Sequence, residues 1–491
     1  MDVIWTFCYL SVLIGLSGYG LHRYFIVYLF LKNRSRAPQP LSYFAQLPVV
    51  TVQLPLFNEM YVVERLLKSV SELDYPRELL QIQVLDDSTD ETRALTDSCV
   101  RRLADRGFNI ELIHRENRIG YKAGALETGL ATARGDFVCI LDADFIPQPG
   151  LLKSTVHFFT DPRVGMIQTR WGHINRGYSL LTRVQAMFLD GHLLLEQVAR
   201  SRSGRFFNFN GTAGLWRRAC IEDAGGWQWD TLTEDLDLSY RAQMRGWKFD
   251  YLPDVVVPAE LPPQVEAYKK QQFRWAKGSF QVVRKILPSV LRAKMPLTVR
   301  FMAILHLTGY FVHPLMLSLL LLTLPVGLFV PGAFKIFPIS LIAGFGPPLL
   351  YLTATATQHR SILKRLKSFP VLVIVGFGLS LSTTIAVVEG LFSKGGAFIR
   401  TPKLNLDNKG KQRQKIDHAY VAPLSSMVWV EIALGIYALF TGIVLSHYIG
   451  WGIVPWMIIY MLGFFYIAGL NLIQHAPQTG KQRSTQPGAT D

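Results

Sequence analysis

Two things are scarce in this sequence. Cysteine occurs only at positions 8, 99, 139 and 220 of 491 residues, and never as a CxxC pair. Isolated thiols of this kind give neither a disulfide framework nor a cysteine zinc site, and they suit a reducing compartment. Charge is scarce too: Asp, Glu, Lys and Arg make up 18% of the chain, whereas a soluble domain carries about 25%. That disfavours a wholly soluble protein. What is present is apolar, with 49% hydrophobic and 12% aromatic residues, and such content excludes a disordered chain. The formal net charge is +15. The composition describes a membrane protein with a sizeable water-soluble part, and the length allows two or three units at roughly 100–200 residues each.

The apolar residues are unevenly placed. A run from about Val3 to Leu31 is long enough to span a bilayer, although His22 and Arg23 interrupt it, since a span needs about 20 residues. It exceeds the apolar core of a signal peptide and no small-residue cleavage site follows, so it reads as a retained anchor. No comparable run occurs until Pro296. Then come Phe301–Val330, Ile336–Thr357, Phe369–Phe392, Met427–His447 and Trp451–Ile473. Lys and Arg collect on the cytoplasmic side of short loops. Two basic segments, His359–Lys367 and Lys394–Lys415, flank Phe369–Phe392, and one crossing cannot have both ends on one side. Phe369–Phe392, with Ser380, Ser382, Thr383, Thr384 and Glu389, is therefore expected to lie along the interface or re-enter. Five spans result, with the amino terminus outside and the soluble region cytosolic. The expected organisation is an N-terminal transmembrane helix (1–32), a cytosolic domain ending in interfacial helices (33–296), a membrane region (297–473) and a disordered, Gln/Thr/Gly/Pro-containing cytosolic tail (474–491).

Within the soluble region, strand-like and helix-like runs alternate. Leu47–Leu54, Leu80–Leu85, Asn109–His114 and Phe137–Leu141 read as strands; Glu59–Glu72, Thr92–Leu103 and Lys122–Ala133 read as helices. This alternation predicts an α/β domain with a mostly parallel sheet and helices on both faces, joined to an α-helical transmembrane region. Ligands of such sheets sit beyond the carboxyl ends of the strands. Asn58 and Glu59, Asp86 and Asp87, and Asp142 and Asp144 fall there. Helix capping explains one such cluster and explains three poorly.

Each cluster has a chemical reading. Asp142-Ala-Asp144 past a buried strand offers hard oxygen ligands to Mg²⁺ or Mn²⁺, which usually complete their shells with substrate phosphates. Lys122 opens a helix, and cations and helix amino termini both favour phosphate; a solvated basic loop is the competing reading. Thr233-Glu234-Asp235 precedes a helix, so its carboxylates are either caps or a general base with a site in reach. Gln271, Arg274 and Trp275 share one helical face. The arginine can clamp phosphate and the tryptophan can stack on a sugar, or the pair can anchor the helix to headgroups.

Taken in order, Asp87, Asp142-Ala-Asp144, Thr233-Glu-Asp235 and Gln271-Gln-Phe-Arg274-Trp275 resemble the D, DxD, TED, QxxRW signature of the inverting family 2 nucleotide-sugar glycosyltransferases. The likeness is to their membrane-embedded, cellulose synthase-like members, and QVLDDSTD (83–90) and FNGTAGLWR (209–217) look most like the mannan and glucan synthase-like branch. Phe398-Ile-Arg-Thr401-Pro-Lys403 is similar to the FxVTxK gating loop of cellulose synthase, with Arg400 in place of valine. The resemblance implies a GT-A type domain. It implies that Asp87, with Asp86 beside it, contacts the nucleotide base. Asp142 and Asp144 would hold the metal and the sugar diphosphate, and Lys122 the diphosphate. Asp235 would be the base and Glu234 its positioning neighbour. Gln271, Arg274 and Trp275 would bind the diphosphate and the terminal acceptor sugar, while Phe209, Asn210, Gly211 and Thr212 would border the acceptor.

The expected activity is inverting transfer of a hexose from a nucleotide sugar to a growing β-glycan, with polymer translocation. UDP-glucose is preferred over GDP-mannose on family frequency alone. A non-processive synthase glycosylating diacylglycerol or ceramide competes, as does a catalytically dead transporter or scaffold. The lipid bilayer and a glycan or lipid acceptor are expected partners, and nucleic acid is not. The expected location is the plasma (cell inner) membrane or, in a eukaryote, the Golgi membrane.

Overall fold

A computed structural model describes residues 2–358, 367–397, 400–406 and 423–475. Phe398, most of the two basic segments and the tail beyond residue 475 lie outside the described residues.

Seven strands form one sheet in the order β3-β2-β1-β4-β6-β5-β7. They are β1 (Val50–Leu56), β2 (Leu80–Asp86), β3 (Ile110–His114), β4 (Phe137–Ile140), β5 (Val164–His173), β6 (Gly214–Arg217) and β7 (Lys248–Ala259). Strands β3, β2, β1 and β4 run parallel, while β6 is antiparallel to both β4 and β5 and β7 is parallel to β5. The first two strands and β4 are buried on nearly every residue. That is the consequence of helices covering both faces, and it is why these strands read as apolar runs rather than alternations.

Strand β1 passes through Pro55 instead of stopping before it. The strand pairs with β4 only over Val50–Gln53, so Pro55 sits where that side of β1 has become an edge and no ladder N–H is required. The helix expected over Glu59–Glu72 is shorter, Val63–Ser71. Beyond the carboxyl edge of β1, β2 and β4 lie Glu59, Asp87 and the Asp142-Ala-Asp144 turn.

Among the described residues, four helices are long and apolar enough to cross a membrane: Asp2–Asn33, Gly309–Phe329, Met427–Tyr448 and Trp451–His475. The expected span Ile336–Thr357 is instead two helices, Phe337–Gly344 and Gly346–Ala356, with Phe345 between them. Pro347 and Pro348 open the second, and a proline has no N–H for the carbonyl four residues back, so the helical ladder lapses at the Ala343 and Gly344 carbonyls. The run Phe301–Val330 likewise divides, into Leu297–Leu307 and the longer helix beyond. The segment Phe369–Phe392, expected to lie along the interface or re-enter, is a pair, Phe369–Gly378 and Ser380–Phe392, bent by 48°. At the bend a Cβ on Gly378 would lie 2.3 Å from the Gly463 carbonyl. Past the bend, Gly390 sits as closely against the Lys277 carbonyl, at 2.5 Å. One half thus packs on the last apolar helix and the other on the helix Val265–Arg292, which carries Gln271, Arg274 and Trp275.

Candidate active site

The sequence-selected side chains converge on a cleft of about 180 Å³ at the strand ends, lined by Asp87, Lys122, Asp142, Asp144, Glu234, Asp235, Gln271, Arg274 and Trp275 among others. They arrive on five separate elements.

Asp87 follows β2 and is gripped by Arg115, whose Nε donates to Oδ1 at 2.7 Å and whose Nη2 donates to Oδ2. This two-point pairing fixes the carboxylate plane. Asp86 does not line the cleft. It is fully buried, its Oδ2 lies 2.9 Å from His114 Nδ1, and its Oδ1 accepts the Ser88 N–H. Side chains alternate along a strand, so only one of the two neighbouring aspartates can face the ligand; a nucleotide contact by Asp86 is not what the geometry offers.

Lys122 stands at the start of the helix Tyr121–Thr132, entered through Gly120 and Tyr121 at φ of 72° and 50°. Its ammonium bonds Asp142 Oδ1 and donates to the Gly211 carbonyl at 2.8 Å. The DxD turn is held by the Asp142 N–H donating to Thr212 Oγ1 at 2.8 Å. Asp144 Oδ2 accepts from the Glu260 N–H at 3.0 Å and from Lys403 Nζ at 2.8 Å. Each carboxylate of the turn therefore already faces a lysine. Among the described residues, no group of three or more His, Cys, Asp or Glu side chains is gathered in a metal-binding arrangement.

Asp235 is placed at the helix start and faces the cleft as well. Its Oδ1 accepts the N–H of Leu236 at 2.8 Å, as a helix-start carboxylate does. Its Oδ2 points at the Gly211 turn, where an added Cβ would lie 3.1 Å away. Burial, then the neighbouring Glu234 charge, push the Asp235 carboxyl up to about 7. Glu234 is also raised by burial, opposed by Lys122 and Arg274. The helix bearing Trp275 is pressed onto this pair: a Cβ on Gly278 would meet the Thr233 side chain at 2.6 Å. The TED and QxxRW motifs are therefore packed directly against each other.

The segment 209–212 divides in role. Asn210 and Gly211 line the cleft. Thr212 serves the DxD backbone as described. Phe209 is fully buried, with its ring 5.5 Å from that of Trp216, so it is a core residue and borders no acceptor.

Thr401 and Lys403 line the cleft. Their loop is fastened by Glu260, whose Oε1 accepts the Leu404 N–H at 2.8 Å and whose Oε2 accepts the Leu406 N–H at 3.2 Å. Arg65 adds a bond to Asn405 Oδ1 at 2.6 Å. Glu260 carries no sequence signal, standing alone between Ala259 and Leu261. Arg118 also lines the cleft, its guanidinium 3.3 Å from the Phe57 ring centroid, and the basic run 115–122 was the signal for it.

A second, larger cavity of about 770 Å³ runs among the apolar helices and shares Trp171, Leu189, Asn210, Thr233, Asp235 and Trp275 with the first. The two spaces meet along these residues, with Asp235 among them.

The family model "Glycosyltransferase like family 2" matches residues 48–278. The chain is 46% identical over 252 residues to the probable glucomannan 4-beta-mannosyltransferase 7 of Oryza sativa subsp. japonica, over 50% of this chain and 43% of that protein. It is 45% identical over 252 residues to glucomannan 4-beta-mannosyltransferase 2 of Arabidopsis thaliana, over 50% and 47%. The matched stretch spans just under half the length of these curated relatives. Among solved structures, the mannosyltransferase PcManGT from Pyrobaculum calidifontis in complex with GDP-Man and Mn2+ aligns with TM-score 0.52 and 24% identity, over 79% of this chain and 99% of that one. That likeness concerns the fold and agrees with a GT-A domain. The family match takes in Asp87, Asp142, Asp144, Glu234, Asp235 and the Gln271–Trp275 motif, so the stretch 48–278 that carries the site is similar to glycosyltransferase family 2.

Proposed function

We propose that this protein is an inverting mannosyltransferase that moves mannose from GDP-mannose to the end of a β-glycan of the mannan or glucomannan type. The single observation carrying the reading is that the charged cleft and the large cavity meet at Asp235. A donor in the first and an acceptor in the second would present their reacting atoms to one carboxylate. The names of the plant relatives and the GDP-Man in the archaeal complex turn the donor preference from UDP-glucose to GDP-mannose.

The mechanism follows from the residues. Arg115 holds Asp87 at the nucleotide end of the cleft. Lys122 and Arg274 supply positive charge for the departing diphosphate, where such charge stabilises the transition state. Asp235 accepts the proton of the acceptor hydroxyl as that oxygen attacks the anomeric carbon and the bond to the diphosphate breaks. One displacement inverts an α-linked donor to a β-linked product. A carboxyl raised to about 7 is a stronger base than an ordinary aspartate and is still about half ionised at neutral pH. Trp275 lines both spaces and offers a flat face to the acceptor's terminal sugar.

A divalent cation fits the DxD turn. Asp142 and Asp144 are hard oxygen donors on one turn, and two carboxylates suffice where substrate phosphates complete the shell. The lysines now facing them mark both carboxylates as seats for positive charge. Bound there, Mg²⁺ or Mn²⁺ would neutralise charge on the diphosphate leaving group.

The test is to supply GDP-mannose, GDP-glucose and UDP-glucose separately, each radiolabelled, to membranes containing the protein. Incorporation from GDP-mannose into material digested by β-mannanase is expected. Incorporation from UDP-glucose alone would overturn the donor assignment, and label confined to solvent-extractable lipid would overturn the glycan acceptor.

A further inference from the structure

One group of charges has no part in the donor cleft. His22 and Arg23 stand inside the apolar helix Asp2–Asn33, where ionisable residues are costly and tend to mark ligand pathways. Arg23 Nη1 is paired with Glu196 Oε1. Glu196 Oε2 lies 3.3 Å from His192 Nδ1, and His192 Nε2 lies 3.4 Å from Asn210 Oδ1. Gln197 Nε2 steadies the same Asn210 oxygen at 3.0 Å. Asn210 is the neighbour of Gly211, against which Asp235 rests. A continuous polar line therefore runs from the transfer site into the first apolar helix.

The line is open to the larger cavity. Arg23, Glu196 and His192 all border it, and their side chains remain 28%, 15% and 27% exposed. A purely structural ion pair at this depth would be expected to be closed off. A guanidinium has five N–H donors and a carboxylate about four acceptor sites, so the bonds within the line leave donors and acceptors for a ligand. The backbone is also unusual here. Gly191–Glu196 is a π-helical turn, a distortion that is frequent at functional sites. It is entered at a glycine whose Cβ would lie 2.5 Å from the Tyr351 ring. Tyr351 and Trp171 border the same cavity. Paired charges beside aromatic faces suit a ligand that carries many hydroxyls on one edge and C–H groups on its faces, which is a sugar.

We propose that Arg23, Glu196 and His192 form a glycan subsite that grips the acceptor chain behind its reacting end. This rests on the reading above that the larger cavity receives the acceptor, and it names the groups that would bind it. The consequence is length-dependent affinity: an acceptor long enough to reach Glu196 binds more tightly than one that fills only the Asp235 site.

The test uses the full chain in lipid nanodiscs with β-1,4-linked manno-oligosaccharides of two to six sugars at saturating GDP-mannose. Wild type should show an acceptor KM that falls with length. Glu196→Gln and Arg23→Gln should each flatten that gain by about tenfold, the loss of one hydrogen bond to a charged partner. The double variant should lose no more than either single one, because the residues act as a pair. GDP binding by each variant, followed by titration, reports that it has folded. If folded variants keep the wild-type dependence on length, the subsite is refuted while the acceptor reading stands. If wild type extends no oligosaccharide and labels only lipid, the acceptor reading falls, and the subsite with it.

Discussion

The two spaces that meet at Asp235 are made of different materials. The small cleft is a set of charges fixed by partners within about 3 Å: Asp87 by Arg115, Asp144 by Lys403, and Asp142 by Lys122. It hangs on a sheet edge whose strands are buried on both faces. The larger space is walled by helices that break and bend, and apart from the Arg23 line it is bordered mainly by apolar and aromatic side chains. A diphosphate demands charges at set positions, and the rigid edge supplies them. A glycan acceptor, as proposed above, would be well served by flat faces. On this comparison, changes in the cleft should alter the chemistry or donor use, and changes in the cavity should alter the handling of the acceptor.

The largest expected effect lies at the junction. Asp235→Asn should cut transfer by about 10²–10⁴-fold, the usual contribution of a positioned base, with GDP binding retained in a titration. Unchanged turnover would remove Asp235 as the base and dissolve the junction. Next is Gly211→Ala. Gly211 has φ of 80°, and an added Cβ would lie 3.1 Å from Asp235 Oδ2. The strain of forcing a side chain into that backbone, about 1–3 kcal/mol, acts where the base is aimed. A kcat lower by about tenfold or more is expected, with donor KM little changed.

The pH profile sharpens the same point. Asp235 must be ionised to accept a proton, and its carboxyl is pushed up to about 7. Below that pH the protonated form dominates, so kcat/KM should fall about tenfold per pH unit on the acid side. Glu234 is one cause of the rise. Glu234→Gln removes its negative charge and should move the acid limb to lower pH. An unmoved limb would assign it to another group.

The difference between the regions also decided what could be read from the sequence. Strands β1, β2 and β4 announced themselves as apolar runs, each followed by acids, because two-sided burial leaves such a pattern. Asp142, Asp235 and Trp275 were legible because short motifs place them on their elements. Asp86 and Phe209 lie off the cleft, because adjacency in a motif does not say which way a side chain faces; pleating turns Asp86 toward His114, and Phe209 turns into the core beside Trp216. The break at Phe345 was missed because apolar content alone does not record where prolines remove helix donors, whereas the paired basic segments had already marked Phe369–Phe392 as lying along the interface or re-entering. Glu260 was invisible for another reason. Its partners are backbone N–H groups about 145 residues further along the chain, and no local pattern encodes them.

Glu260 gives the last and smallest test of the contrast, since it ties the loop of the membrane half to the sheet half. Each of its oxygens accepts a backbone N–H, from Leu404 and Leu406, and Arg65 lies 3.6 Å from Oε2. Glu260→Gln keeps the shape but replaces one acceptor by an NH₂ group, which cannot receive a backbone N–H. One charge-assisted bond is lost, worth about 1.5–3 kcal/mol where the donor is then left unmatched. The loop can relax toward water, so the observed effect should be smaller. The loop places Thr401 and Lys403 against the cleft, and Lys403 reaches Asp144. Loosening it should therefore raise the KM for GDP-mannose by about threefold, with the KM for a saturating-length acceptor unchanged. A rise in acceptor KM instead would mean that the loop serves the larger cavity, and the division of labour between the two spaces would have to be redrawn.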